Sequence, residues 1–545
     1  MRIALCQLNY HIGDFEQNTA KIIAALNKAK ADGAELAVFA ELAVCGYPPR
    51  DFLEFDDFIA RCNAAVNEIA KACVGIAAVV GSPVKNTTGT GKSLFNAALL
   101  LEEGKIIHTA HKALLPSYDI FDEYRYFEVG REFSVVEWKG KKIALTVCED
   151  LWQVKGSTMY DVTPMEHLSA LKPNLIINIA ASPFDVNHAE ERKEVLSWNA
   201  KHYKVPIIYA NHTGAQTELI FDGGSMFVSK NGTILNELPY FEEAQETVDA
   251  FPKSDEVLVS TIEPIPPIAS IHQALVLGIR DYFGKMGFKS ALFGLSGGID
   301  SAVVAVLAAE ALGKENVKAI LMPSEFSSDH SVDDAVQLAN NLGIAYEIIP
   351  IKNSYEAMLK TLSPVFGDLP FSLAEENIQA RTRGVILMGI SNKLGGIVLN
   401  TSNKSELAVG YGTLYGDMNG GLSVIGDLYK TQVYALADQL NIEREIIPQN
   451  TITKAPSAEL RPGQKDSDSL PDYDILDKLI FQYVENRLGP KELLALGFDE
   501  ALVKRVLKMI NTNEYKRHQA PPILRVSAKA FGMGRRLPIV GKYLG

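Results

Sequence analysis

Two stretches of the chain carry side chains whose types and order suit chemistry. The first is Ser296-Gly297-Gly298-Ile299-Asp300-Ser301. An apolar run of strand length, Ser290 to Leu295, precedes it, and Ala302 to Leu312, free of Gly and Pro, reads as the helix that follows. Strand, glycine turn and helix N-terminus make an anion site, because free backbone N–H groups converge at the positive end of the helix dipole. Gly297 and Gly298 let the backbone approach a phosphate with no Cβ in the way, and Ser296 and Ser301 add hydroxyl donors. Asp300 would repel a bare phosphate, so it makes better sense as a ligand of Mg2+ bridging phosphate oxygens. A glycine turn packed without any ligand is the plain alternative. The second stretch is Ile143-Ala144-Leu145-Thr146-Val147-Cys148-Glu149-Asp150, a thiol at the end of an apolar strand beside two carboxylates. Free cysteine is only about 3% thiolate at neutral pH, so a nucleophile here needs a base or cation. No His lies in the flanking stretch; the chain offers Glu41 at a strand end and Lys112.

Other patterns imitate function without its context. The phosphate turn is no G-x-G-x-x-G, and no Lys follows its glycines as a Walker A loop needs. Gly89-Thr90-Gly91-Lys92-Ser93 resembles the end of such a loop, but Asn86 stands where its first glycine belongs, and no helix follows. It reads as a hairpin loop. Cys45 lies near Glu41 in sequence and reads as structural, and Cys6, Cys62 and Cys73 as core fillers.

These residues must be positioned by more than one core, since 545 residues suggest about two to four domains. The composition, 47% hydrophobic and 22% charged, is that of a globular chain. Net charge of −13 disfavours a broad nucleic-acid footprint but leaves room for anionic small ligands. Five scattered cysteines with no C-x-x-C pair argue against structural zinc and a disulfide framework and suit the cytoplasm. Apolar runs stop short of a membrane span, and the N-terminus lacks a signal-peptide pattern.

In the first half, strands at Ile3–Leu8, Leu36–Phe39 and Ile76–Val80 alternate with helices at Phe15–Ala31, capped by Asp14, and Asp57–Ala72. Turns fall at 102–105 and 230–233. Buried sheets with helical layers are expected. Glu263-Pro264-Ile265-Pro266-Pro267-Ile268 reads as a stiff extended connector, giving units at 1–262 and 270–545 around a linker at 263–269. A helix runs from Ser270 to about Met286. Strand–helix alternation then resumes through Val317–Met322, Ser328–Asn341, Ala345–Ile349, Ala374–Lys393 and Gly396–Asn400, which predicts a doubly wound parallel sheet with ligands at its carboxyl ends.

The phosphate turn resembles the SGGxDS loop of the N-type ATP pyrophosphatases, which cleave ATP to AMP and pyrophosphate. Glu41, Lys112 and Cys148, with the flanks Phe39-Ala40-Glu41-Leu42, Leu115-Pro116-Ser117-Tyr118 and Val147-Cys148-Glu149-Asp150-Leu151-Trp152, resemble the nitrilase triad. That resemblance implies an α-β-β-α sandwich in the first half. It makes Glu41 the base, Cys148 the nucleophile on an amide carbon and Lys112 the oxyanion donor, with Glu123 as a further carboxylate. Its glutaminase branch implies that Tyr118, Glu149 and Ser182 hold glutamine. In the second half, Asn377–Arg383, Thr401–Glu406, Lys430 and Asn513–Arg517, in that order, resemble NAD synthetase.

Together the halves are similar to the glutamine-dependent NAD synthetases, α/β proteins that pair a glutaminase with an ATP-consuming amidating domain. By that resemblance Gly294, Leu295, Ser296, Gly297, Gly298, Ile299, Asp300, Ser301, Thr401, Lys430 and Ser457 contact ATP. Asp300 and Glu406 hold Mg2+, and Asn377, Arg381, Glu406 and Lys516 contact deamido-NAD. ATP is a co-substrate, and no prosthetic group is implied. The partners implied are glutamine, ATP and deamido-NAD, not nucleic acid or membrane, in a homo-oligomer paired at least through the synthetase half. Because free ammonia is mostly protonated in neutral water, the family pattern also implies a shielded passage for it. Ser457, Tyr515 and Leu414 depart from the family's usual threonine, histidine and lysine. The rival readings are another glutamine-fed ATP pyrophosphatase such as a GMP synthetase-like enzyme, a tRNA-thiolating protein, and an amide hydrolase with a silent second half. Cysteine is absent after Cys148, which counts against thiolation.

Overall fold

In the computed structural model, which describes residues 1–154, 159–252 and 262–543, the first strand divides its side chains between two cores. Ala4 and Cys6 face one apolar cluster, and Ile3 and Leu5 face another, the period-two alternation of a strand buried on both sides. The chain separates into two units, Met1–Ile265 and Pro266–Gly545. The stretch just before the expected boundary at 262, residues 253–261, lies outside the described residues.

The first unit begins with β1 (Arg2–Gln7), β2 (Leu36–Val38), β3 (Ala77–Lys85), β4 (Leu94–Glu102) and β5 (Lys105–His111). It continues with β6 (Val136–Trp138), β7 (Lys141–Val147), β8 (Leu175–Ile179) and β9 (Ile207–Ala210). A hairpin of β10 (Thr213–Gln216) and β11 (Leu219–Asp222) precedes β12 (Met226–Val228), β13 (Ile234–Glu237) and β14 (Ala244–Asp249). Two six-stranded sheets result, in the orders β14-β1-β2-β3-β4-β5 and β13-β12-β9-β8-β7-β6. Val38, Val79 and Leu100 of the first share a core with Leu145, Ile177 and Ile208 of the second, so the sheets stack face to face. Helices Phe15–Ala31 and Asp56–Ala72 cover the outer face of the first sheet, burying Ile22, Leu26, Ile59 and Ile69. The Asp14 carboxylate accepts the Gln17 N–H at 3.1 Å and so starts the first helix where expected. Helices Pro164–Ala170 and His188–Tyr203 bury Leu168 and Leu196 in the core of the second sheet. The sandwich implied by the nitrilase resemblance is present.

In the second unit, the helix expected from Ser270 begins at Pro267, because proline at the first helical position loses no needed hydrogen bond. The connector's last proline therefore belongs to the helix. Then come β15 (Ala291–Gly294), β16 (Val317–Leu321), β17 (Ala345–Ile348), β18 (Ile397–Asn400) and β19 (Leu422–Ser423), all parallel in the order β17-β16-β15-β18-β19. This is the doubly wound sheet. The order reverses at β15, so the turn after it lies at the switch point where such sheets hold ligands. The helix after that turn starts at Ile299 rather than Ala302, with Gly298 as its cap. Beyond β18, helices Lys404–Val409, Tyr473–Val484 and Glu500–Thr512 share a separate core of Leu407, Leu476, Ile480, Val503 and Leu507. Among the described residues no helix is long and apolar enough to cross a membrane.

Candidate active sites

In the first unit the turn after β2, the residue that follows β5 and a short 3-10 helix at Glu123–Arg125 bring Glu41, Lys112 and Glu123 into one buried chain. Lys112 Nζ donates to Glu41 Oε1 at 2.7 Å and to Glu123 Oε1 at 2.8 Å, with all three residues at most 5% exposed. Burial pulls the Lys112 ammonium down, but the charges of Glu123 and Glu41 outweigh it and hold it well above its ordinary value. Burial raises Glu123, whose Oε1 also accepts the Tyr47 hydroxyl at 2.8 Å. Cys148 follows β7 directly, at a positive φ of 43° that turns the chain sharply away from the sheet. Burial pushes its thiol well above the ordinary range; Glu41, Glu149 and Glu123 add to that and Lys112 opposes it. The resting group is therefore a thiol, close enough to Glu41 and Lys112 to feel both charges.

Asp150, one of the two carboxylates beside the thiol in sequence, holds this arrangement together with Asn96, Gly81 and Ala181. Asp150 Oδ1 accepts from Ala113 N and Leu114 N, and Oδ2 from Val147 N, each at 2.9 Å. It fastens the strand end bearing Lys112 to the turn bearing Cys148. Burial, the leading cause, lifts its carboxyl to about 6. Asn96 Nδ2 donates to Glu41 Oε1 at 2.7 Å and lies 3.5 Å from Glu123 Oε2. Gly81 lets β3 pass beneath the Glu41 turn, for a Cβ there would stand 2.3 Å from Leu42 N and 2.7 Å from Glu41 Cα. Ala181 N donates to Glu41 Oε2 at 2.9 Å.

The three glutamine candidates also lie in this unit, held by partners of their own. Glu149 Oε1 accepts the hydroxyls of Tyr118 and Tyr160, both at 3.0 Å, with no cation bonded to it among the described residues. Ser182 Oγ is 2.9 Å from His188 Nε2, and that imidazole stacks on Trp152. The Asn211 carboxamide brackets the Ser182 peptide, accepting its N–H at 2.9 Å and donating to its carbonyl at 3.2 Å. Cys45 packs in the helix-side core with its sulfur towards Leu42 O and Gly46 O, as its structural reading requires. Residues 85 to 94, which contain the Walker-like decoy, join β3 to β4 as a hairpin loop.

In the second unit Gly297 has φ 81°, and a Cβ there would stand 2.2 Å from Ser331 O. The turn admits no other residue without strain. Its serines brace one another: the hydroxyls of Ser296 and Ser301 are 3.2 Å apart, and Ser301 Oγ also donates to Gly298 O at 3.0 Å. A cavity of about 310 Å3 opens against the turn. Gly294, Leu295, Ser296, Gly298, Ile299, Asp300 and Ser301 line it, together with Thr401, Glu406, Lys430 and Ser457. Of the expected nucleotide contacts Gly297 alone is not in this lining, having its backbone against Ser331.

Lys430 Nζ bonds Asp300 Oδ2 and stands 3.7 Å from Glu406 Oε1, while Asn403 Nδ2 donates to Asp300 Oδ1 at 2.8 Å. Burial and then the charge of Asp300 push Glu406 up to about 8, against the pull of Lys430. Burial also raises Asp466, which accepts hydroxyls from Tyr473 at 3.0 Å and Tyr411 at 3.3 Å.

Asn377, Arg381 and Lys516 do not line this cavity; they converge on the neighbouring segment 410–414. Thr413 Oγ1 donates to Asn377 Oδ1 at 2.7 Å, Arg381 Nε to Leu414 O at 3.2 Å, and Lys516 Nζ to Gly410 O and Gly412 O, both at 2.8 Å. Leu414 thus takes part through its carbonyl, and Tyr515 lies 44% exposed. The cavity takes Arg383 instead, whose Nε donates to Met322 O at 3.0 Å and whose guanidinium burial lowers to about 10. The signal was available: two residues apart on a helix, Arg381 and Arg383 point to different sides.

Two family models match the chain: carbon–nitrogen hydrolase over residues 2–250 and NAD synthase over residues 271–520. The chain is 46% identical to a glutamine-dependent NAD(+) synthetase of Synechocystis, with 98% of each sequence covered. It is 41% identical to one of Thermotoga maritima, covering 100% of this chain and 99% of that one. Among solved structures, the glutamine-dependent NAD+ synthetase of Acinetobacter baumannii in complex with ADP is 38% identical, with a TM-score of 0.78 over 99% of this chain and 98% of that one. A glutamine-dependent NAD(+) synthetase of Cytophaga hutchinsonii shares the fold at 20% identity, with a TM-score of 0.83 over 99% and 98% of the two chains.

Proposed function

The chain belongs to the glutamine-dependent NAD(+) synthetases, and on that premise we propose that Glu41, Lys112 and Cys148 release ammonia from glutamine while the turn at 296–301 activates its acceptor with ATP. The enzyme amidates deamido-NAD to NAD. In the first unit Cys148 sulfur attacks the glutamine amide carbon as its proton passes to Glu41. Lys112 donates to the developing oxyanion, held in place by Glu123 on its other side. The proton returns to the leaving nitrogen, ammonia departs, and water cleaves the thioester to glutamate. Glu149, a buried carboxylate bonded to two phenols and to no cation among the described residues, suits the α-ammonium of glutamine. Tyr118 orients Glu149, and Ser182 adds a polar contact.

In the second unit the deamido-NAD carboxylate attacks the α-phosphorus of ATP, expelling pyrophosphate, and ammonia then displaces AMP. The turn's N–H groups and Lys430 hold the phosphates, and Thr401 and Ser457, which also line the cavity, add hydroxyl contacts. Asn377, Arg381, Glu406 and Lys516 serve the dinucleotide, the first two and the last of these bonded to segment 410–414 and Glu406 lining the cavity. Asp300 and Glu406 fit Mg2+: two carboxylates share one ammonium, and the raised Glu406 carboxyl reflects the repulsion a divalent cation would relieve. Among the described residues no cluster of three or more such ligands occurs, so phosphate oxygens and water would fill its remaining positions. When bound, that ion neutralises charge on the phosphates.

The observation that carries this reading is whole-length similarity to such synthetases together with both chemical sets in one chain. Incubated with deamido-NAD, ATP and glutamine, the enzyme is expected to release NAD, AMP, pyrophosphate and glutamate in equal amounts. An ammonia-trapping enzyme in the medium should intercept little of the nitrogen, as a shielded passage requires. ADP as product, or amidation of a different acceptor in preference, would overturn the assignment.

A homodimer through the synthetase half is part of the proposal. Val365, Leu369, Phe371, Leu373 and Val385 are all more than half exposed, an apolar set that a second copy would cover. Phe371→Glu with Leu373→Glu is expected to halve the mass seen by light scattering; an unchanged mass would move the interface elsewhere. Five thiols, none in a disulfide, support a cytoplasmic location.

A further inference from the structure

The run Asn403-Lys404-Ser405-Glu406 divides its side chains between two tasks. Asn403 and Glu406 meet the Asp300–Lys430 pair, whereas Lys404 and Ser405 are fully buried. Lys404 Nζ bonds Asp427 Oδ1 and Glu485 Oε1, both at 2.9 Å, Ser527 Oγ at 2.7 Å and Lys529 O at 3.0 Å. Asp427 in turn accepts Val526 N at 2.8 Å and Ser527 N at 2.7 Å on Oδ2, and Ser527 Oγ at 2.8 Å on Oδ1. The stretches 403–406 and 427–430 are also joined directly: Lys404 N donates to Leu428 O at 2.8 Å, and Lys430 N to the Ser405 hydroxyl at 2.9 Å. Residues 522–524 run beside β19, with Ser423 N donating to Pro522 O at 2.8 Å.

We infer that the segment 522–529, which lies beyond the residues matched to NAD synthase, positions Glu406 and Lys430 for ATP through the Lys404–Asp427 pair. The physical reason is satisfaction of buried charge. Asp427 is 1% exposed, and three of its donors come from residues 526 and 527. A buried carboxylate stripped of donors is unstable, so the stretches at 403–406 and 427–430 settle where the C-terminal segment can serve them. Ser527 is the joint, accepting from Lys404 and donating to Asp427 with one hydroxyl. Lys404 and Asp427 stand two and three residues from Glu406 and Lys430, so a shift at the joint reaches the cavity directly. Ser527 touches no substrate in this account; it is a positioning residue.

The inference rests on Lys430 acting on ATP, and its test separates the two claims. Ser527→Ala, Ser527→Thr and Lys430→Met are compared in the full-length enzyme by ammonia-driven synthesis, basal glutaminase rate and thermal midpoint. Ser527→Ala is expected to lower kcat for synthesis roughly tenfold, as small misplacements of catalytic groups do. Its glutaminase rate should stay near that of the unmodified enzyme, and its midpoint should fall by only a few degrees, since Asp427 keeps two backbone donors and Lys404. Ser527→Thr, which keeps the hydroxyl, should restore synthesis. Full synthesis by Ser527→Ala, failure of Ser527→Thr to restore it, or a loss that tracks the unfolded fraction overturns the inference. If Lys430→Met retains synthesis, the reading of the ATP site falls; if it is inactive while Ser527→Ala is fully active, only the positioning role falls.

Discussion

Cys148→Ala is expected to abolish NAD synthesis from glutamine while leaving synthesis from added ammonium salts within about twofold of the unmodified enzyme. Glutaminase turnover should fall by at least about 10^4-fold, about 5.5 kcal/mol of activation free energy. The size follows from the role proposed for the sulfur, which is to form the bond to the amide carbon that lets ammonia leave. Cys45 is packed in a different core with its sulfur turned to backbone carbonyls. Because burial and then Glu41 hold the Cys148 thiol up, the proton must leave as the bond forms, which makes Glu41 essential rather than ornamental. Lys112→Met is a poorer probe. It would strand Glu41 and Glu123 as buried carboxylates without their shared cation, a loss of about 3–5 kcal/mol in folding alone. Cys148→Ala removes one sulfur and strands no charge. If Cys148 were core filler, both activities would fall together with stability. Equal loss of the glutamine and ammonia reactions would end the two-site account.

Much of this was open to inspection residue by residue. Asp14 named its helix start because a carboxylate before an amphipathic run satisfies an orphan N–H. Glu41 and Cys148 lie at strand ends, where apolar runs stop. What stayed hidden depends on contacts across the fold. Gly81 looks like any strand glycine until the Glu41 turn is laid across it. Cys148 takes a positive φ that its residue type does not favour, next to Val147, whose N–H the Asp150 carboxylate accepts. Asn96 and Asp150 act on residues tens of positions away, beyond the reach of local pattern. Asn377, Arg381 and Lys516 were found as a set, but their joint attachment to segment 410–414 rather than to the cavity wall needed the tertiary arrangement. Pro267 was assigned to an extended connector because three prolines resist helix, yet the first helical position is where proline's missing donor does no harm.

Asp300→Ala is the corresponding test of the second unit, with amidation from ammonia expected to fall roughly 10^3-fold. Basal glutaminase rate, measured without ATP or dinucleotide, should be unchanged. The side chain fixes Lys430 through one oxygen and takes Asn403 on the other, so its loss shifts the cation proposed to hold the phosphates. Folding should survive for a reason visible in Glu406. Burial and then the Asp300 charge push the Glu406 carboxyl up to about 8, which favours its protonated form beside Asp300. Removing Asp300 takes away the like charge, lowers the Glu406 carboxyl, and lets it ionise as the partner of Lys430, already 3.7 Å away. One anion and one cation remain, and the thermal midpoint should hold or rise. A collapse in amidation with an intact midpoint therefore assigns Asp300 to chemistry, whereas a collapse in both would make it a structural counter-ion of Lys430. Retained amidation would remove the phosphate turn from the reaction altogether.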